Sequence, residues 1–234
     1  MPVIVGFVSQ KGGVGKSTLS RALATVAANG GWKVRIADLD PAQRTSTLWN
    51  SRRQDHKITP ELDVRPYERM GDAMKFAGDV DLLIIDGPAR TSAGTLSIAQ
   101  AAHLLVQPSN GHLDDLIPGV NAFHELAREG VERIKMRFAL CRIGTTSEEQ
   151  RARAYVEEAG YACLAGALYE KPAYGQAQDL GHAVIETRFG SLNGQADKLI
   201  ESLLDAVIAQ GGTATEAKPG AKPATTTKLK ASAA

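Results

Sequence analysis

Aromatic residues are scarce in this chain: Phe, Trp and Tyr together make up 5% of 234 residues. So few rings exclude the stacked platforms on which single-strand nucleic-acid binders hold successive bases. Cysteine is nearly absent. Cys141 and Cys163 are too few for a disulfide framework or a metal cluster, and their apolar surroundings make them small core residues of a reducing cytosol. No apolar stretch reaches the ~18 residues of a membrane span. The N-terminus runs directly into an apolar segment, which leaves no room for a signal peptide. An excess of charge of one sign is also missing: 27 basic residues face 26 acidic ones, a formal net charge of +1. Any contact with a polyanion therefore has to come from a local patch.

What is present suits one sizeable domain with a tail. The hydrophobic fraction is 43%, enough for a real core. From residue 212 the composition shifts to Ala, Thr, Lys and Pro, with Leu229 the one large aliphatic side chain. Such a segment cannot bury enough surface to order itself. Lys218, Lys222, Lys228 and Lys230 against Glu216 give it +3, which leaves −2 for residues 1–211. The expected organisation is a domain over 1–211 and a disordered tail over 212–234.

Apolar runs alternate with helical patterns through that domain. Strands are expected at Val3–Val8, Val34–Asp38, Leu62–Arg65, Leu82–Asp86, His103–Gln107, Met136–Cys141 and Ala162–Ala167. Helices are expected near 16–29, 42–54, 68–77, 91–101, 113–129, 146–159, 173–180 and 190–209. Alternation with continuously apolar strands predicts an α/β fold, a doubly wound and mostly parallel sheet covered on both faces. Right-handed crossovers place the loops after the strands along one edge. There is no internal repeat.

The first strand breaks into Ser9-Gln10-Lys11-Gly12-Gly13-Val14-Gly15-Lys16-Ser17-Thr18. A strand, a Gly-rich loop and a helix opening on Lys-Ser/Thr form a phosphate cradle. The glycines let successive N–H groups face anionic oxygens, Lys16 reaches the β/γ-phosphates, and Ser17 offers a hydroxyl to Mg²⁺. The helix N-terminus adds its dipole. The usual pattern places a glycine where Gln10 stands, and instead a second lysine, Lys11, sits at the mouth of the loop.

Two further strands end in acids. Lys33–Ala37 leads into Asp38-Leu39-Asp40-Pro41, and Val80–Ile85 into Asp86-Gly87-Pro88. Carboxylates at strand C-termini lie where doubly wound sheets bind ligands, and Asp86 fits the acid that holds Mg²⁺. Each acid, taken alone, reads equally as a helix N-cap.

Lys-Gly-Gly-Val-Gly-Lys-Ser-Thr resembles the deviant Walker A box of the ParA/MinD family of P-loop ATPases, and the resemblance covers residues 3 to 209. It implies that Lys11 crosses a dimer interface to touch the partner's nucleotide. It also implies that Asp40 is the switch I acid that positions water and that Gly87-Pro88 begins switch II. The implied catalytic set is Lys11, Lys16 and Asp40, and the metal set Ser17, Asp40 and Asp86. ATP would be held by residues 11–18 (Lys11, Gly12, Gly13, Val14, Gly15, Lys16, Ser17, Thr18) with Arg142 and Lys171.

The chain departs from the family pattern at three places. Ala42 separates Pro41 from Gln43, Ala89 follows Pro88, and Cys141-Arg142 stands where an Asn-Arg commonly reads adenine. Lys171, Tyr174, Ala177 and Gly181 fall where the family lines the adenine pocket; a surface turn explains the Lys-Pro and lone Tyr as well.

With no segment ahead of the first strand, the resemblance is to short ParA proteins without a helix-turn-helix domain. It implies an ATP-dependent homodimer that binds DNA without sequence preference in the nucleoid-bearing cytoplasm. A ParB-like or cargo-adaptor protein would stimulate its weak ATPase and link it to plasmid or chromosome partition. Candidate DNA contacts are Arg188, Lys198, Arg142, Arg151 and Arg153. The rival readings are positioning of a cytoplasmic protein cluster, a MinD-like membrane ATPase, a metabolic P-loop enzyme and a non-hydrolysing scaffold. The tail lacks the bulky apolar face of a membrane-seeking helix, so no membrane partner is expected.

Overall fold

The computed structural model describes residues 2–89 and 92–211; the expected tail lies outside them. The order is β1 (Val3–Ser9), α1 (Lys16–Asn29), β2 (Val34–Asp38), α2 (Thr45–Asp55), β3 (Asp63–Pro66), α3 (Met70–Met74), β4 (Leu82–Ala89) and α4 (Ser92–Ala101). It continues with β5 (Leu104–Ser109), α5 (Leu113–Arg128), β6 (Met136–Ile143), α6 (Thr146–Glu158), β7 (Ala162–Cys163), β8 (Leu168–Tyr169), α7 (Pro172–Asp179) and α8 (Gly190–Gly211).

The strands form one sheet in the order β3-β2-β4-β1-β5-β6-β7, with β8 also paired to β6. Every pairing among the described residues is parallel. The C-terminal ends of β1, β2, β4, β5 and β6 therefore share one edge. The strand order turns back beside β1, which makes the loop after β1 the switch point where such sheets take ligands.

Period-two alternation divides the apolar strands between two cores. Val3, Val5, Phe7, Leu82 and Ile84 pack under α1, α2, α7 and α8. Ile4, Val8, Leu83 and Ile85 pack under α3 to α6. The long helix α8 buries Ala196, Leu199, Ile200, Leu203 and Val207, spaced three and four apart on one stripe. Close approach fixes one glycine: a Cβ on Gly6 would lie 2.5 Å from Ile98 Cγ2 of α4.

Element types agree with the sequence reading, and several boundaries do not. Of the strand expected over 162–167 only β7 forms, and β8 begins just past its end at Leu168; both pair with β6. Between them Gly166 takes a left-handed φ of 74°, which interrupts an apolar run that reads as continuous. The helix expected from 42 starts at Thr45, because Asp40 holds the preceding residues in a turn: its Oδ1 accepts from Gln43 N, and its carbonyl from Arg44 N. The helix expected over 68–77 is one α turn, Met70–Met74, and a 3-10 turn, Ala77–Asp79.

Candidate nucleotide site

The loop between β1 and α1 leaves donors open. Gly13 and Gly15 have φ of 74° and 113°, values glycine reaches without a Cβ penalty. Gly15 caps α1 with no side-chain hydrogen bond, and the helix has no acid in its first turn. Its first N–H groups and dipole thus face an anion-sized space unopposed. Gly15 also rests against the C-terminal part of β6, where a Cβ would sit 3.2 Å from Cys141 Sγ.

That space is a cleft of about 270 Å³ lined by Gly12, Gly13, Gly15, Lys16, Ser17, Thr18, Asp40, Thr45 and Asp86, among others. Lys16 is buried, and its Nζ donates to the carbonyl of Lys11 at 3.1 Å. Burial lowers its pKa, against the pull of Asp86 and Asp40. Asp86 is fully enclosed. Burial raises its pKa, while hydrogen bonds from Ser46 and Ser17 act in the opposite direction.

The three residues that open α2 anchor the site, and sequence reading passed over them. Thr45 Oγ1 lies 2.9 Å from Ser17 Oγ. Ser46 Oγ donates to Asp86 Oδ2 at 2.7 Å. Thr47 donates to Asp38 Oδ2 through both its backbone N–H and its hydroxyl. Asp38 is therefore committed to capping α2, while Asp40, half-buried, opens on the cleft. The run Thr45-Ser46-Thr47 is the only sequence signal, and it looks like ordinary N-cap chemistry.

Among the described residues no group of three His, Cys, Asp or Glu could hold a metal. Mg²⁺ fits this cleft differently, since it takes few protein ligands and completes its shell with phosphate oxygens and water. Asp86 Oδ1 is buried with no hydrogen-bond partner, and a buried carboxylate oxygen without a partner is costly. Ser17 stands beside it. The residues present fit the ion.

A second cleft of about 520 Å³ adjoins the loop. Gly13, Gly15, Thr18, Cys141, Arg142, Lys171, Pro172, Tyr174 and Gln178 help line it. Arg142 and Lys171, far apart in sequence, thus line one cleft beside the phosphate loop, while Ala177 is buried and Gly181 abuts Arg53. Arg142 has a left-handed φ of 55° and pairs with Glu170 at 2.8 Å. Cys141 is buried, its thiol pKa pushed up to about 12; it forms an apolar floor.

The sequence that builds this sheet and loop matches, over residues 5–209, the family described as CobQ/CobB/MinD/ParA nucleotide binding domain. The chain belongs to that family. No curated protein matches this family member by sequence. Solved structures share the fold. MinD from Pyrococcus horikoshii, complexed with Mg-ADP, is 16% identical with a TM-score of 0.71, over 90% of this chain and 99% of that one. Apo McdA from Cyanothece is 18% identical with a TM-score of 0.67, over 88% and 100%. A Borrelia burgdorferi protein assigned to plasmid partition and bound to AMPPNP is 14% identical with a TM-score of 0.66, over 88% and 99%.

The remaining predicted residues separate by environment. Lys11 is half-exposed and forms an ion pair with Asp115 of α5. Val14 is buried, so its contribution to the loop is its backbone. Arg188, Arg151 and Lys198 are exposed. Arg153 is not free: it donates to the carbonyls of Leu164 and Gly166 and to Glu149. It holds the β7–β8 connection against α6, which makes it a poor DNA contact.

Proposed function

We propose that this family member is a ParA-type ATPase. ATP and Mg²⁺ would bind in the 270 Å³ cleft, with the base in the adjoining one. The observation that carries this reading is the pair of lysines on one loop. Lys16 is buried at the phosphate position, whereas Lys11 is half-exposed at the rim. A lysine left at the rim can reach a second subunit's nucleotide, so ATP would join two subunits into a sandwich dimer.

In this reading the chain supplies the following chemistry. Loop amides and Lys16 bind the β/γ-phosphates, and the cation held at Ser17 and Asp86 neutralises developing charge. Asp40 orients the attacking water. Partner lysines enclose the site and exclude solvent.

The dimer would bind DNA backbone phosphates without sequence preference, Arg188 and Lys198 being the candidate contacts. Lys198 shares an open cleft of about 720 Å³ with Lys171, Thr146 and Glu149, the acid being paired with Arg153, which supports a basic patch near the nucleotide. A ParB-like or cargo-adaptor protein would stimulate hydrolysis, and the cargo would be a plasmid, a chromosome or a cytoplasmic cluster over the nucleoid. No described helix is long and apolar enough to cross a membrane.

The test is light scattering and mobility shift on random duplexes, with and without Mg-ATP. An ATP-dependent dimer whose DNA affinity falls steeply between about 50 and 200 mM salt is expected. An ATP-bound monomer, or a dimer that sediments with liposomes and ignores DNA, would overturn the partition reading.

A further inference from the structure

Ser17 must meet two demands if it is to ligate a cation. A lone pair has to point at the metal, and the hydroxyl proton has to go to an acceptor elsewhere. Asp86, to which Ser17 also hydrogen-bonds, is the rival acceptor for that proton, but a bound cation would compete for the same carboxylate. Its Oδ2 already accepts from Ser46, and its unpartnered Oδ1 is the atom available to the cation or to water on the cation. The other acceptor in reach is Thr45 Oγ1, at 2.9 Å.

Thr45 is held there. Ser46 and Thr47, the next two residues, are tied to Asp86 and Asp38. Arg44 precedes it at φ 47°, ψ 39°, a backbone that a non-glycine residue keeps only when its surroundings impose it. The first turn of α2 is thus pinned on both sides of Thr45, and Thr45 lines the cleft itself.

We propose that Thr45 is a positioning residue for the divalent cation. Its Oγ1 accepts the Ser17 proton and turns a Ser17 lone pair toward the metal. Its own hydroxyl proton is then directed into the cleft, where a metal-bound water can accept it. The Ser17 contact ties α2, and with it the loop that carries Asp40, to occupancy of the metal site. This inference rests on the Mg-nucleotide reading above and adds a residue to it.

The experiment compares nucleotide affinity in Mg²⁺ with affinity in EDTA, using a fluorescent ATP analogue, for wild type, Thr45→Val and Thr45→Ser. Direct Mn²⁺ binding in the presence of nucleotide is measured by electron paramagnetic resonance. Groups that orient a metal ligand typically contribute 10- to 100-fold to metal affinity. Thr45→Val, which keeps the shape and loses the hydroxyl, should lower Mn²⁺ affinity about 10-fold or more and remove most of the magnesium-dependent gain. Affinity in EDTA should stay unchanged, and Thr45→Ser should restore the gain.

A full magnesium gain in Thr45→Val would overturn the proposal. So would an equal loss in Mg²⁺ and in EDTA, which would mark Thr45 as a structural cap. If Thr45→Val fails to fold, Thr45→Ala carries the same comparison. A wild-type protein with no magnesium gain would instead overturn the Mg-nucleotide reading itself.

Discussion

Lys11, at the mouth of the phosphate loop, is ion-paired with Asp115 on α5 of the same chain. The lysine side chain is 43% exposed and the aspartate 12%. In the proposed sandwich Lys11 leaves this partner for the nucleotide of the other subunit, so the intramolecular pair opposes the dimer. Asp115→Asn should therefore lower the ATP concentration at which dimers form. A partly exposed pair is worth up to about 1 kcal/mol, a shift of several-fold. Light scattering against ATP concentration measures it, with Lys11→Ala expected to bind ATP and stay monomeric.

Lys16→Ala should fold and lose nucleotide affinity by more than 10-fold, as isothermal titration would show. The sign of the stability effect follows from burial. The folded Lys16 pKa lies below 10.5, so between that value and 10.5 the unfolded chain binds more protons and stability rises with pH. Below that window the buried charge is a net cost. Lys16→Met should raise the melting temperature of the nucleotide-free protein at pH 7 by a few degrees, at about 2–4 °C per kcal/mol. The gain should shrink as pH climbs through the window toward 10.5.

Asp40→Ala should separate binding from turnover. A carboxylate that orients water acts mainly on the transition state. The variant should accumulate as an ATP-bound dimer with phosphate release reduced by 10-fold or more. Continuing phosphate release at the wild-type rate would reduce Asp40 to the turn it holds through Gln43.

Basic residues grouped as candidate DNA contacts should behave differently. Arg188→Glu and Lys198→Glu should weaken DNA binding on all duplexes alike and leave melting unchanged. Arg153→Ala should do the reverse, because it removes donors from two carbonyls and from Glu149. Loss of such bonds costs about 1–3 kcal/mol, readable as a drop in melting temperature with DNA affinity preserved.

Local sequence determined the phosphate loop, because a cradle for an anion is built from consecutive residues. Gly13 and Gly15 supply the left-handed turns and Lys16 and Ser17 begin the helix; no distant contact is needed to recognise them. Continuous apolar runs alternating with helical stretches likewise determined the parallel sheet and its two covered faces, since a strand buried on both sides has no polar face. Tertiary structure decided where the other groups act. Asp38 and Asp40 look alike in sequence, yet only packing of α2 commits Asp38 to Thr47 and leaves Asp40 open to the cleft. Arg153 reads as a solvated helix face until the β7–β8 connection folds over it. Lys11–Asp115 and Ser17–Thr45 join residues 104 and 28 positions apart. Such pairings depend on which strand ends share an edge of the sheet, and no local pattern encodes that.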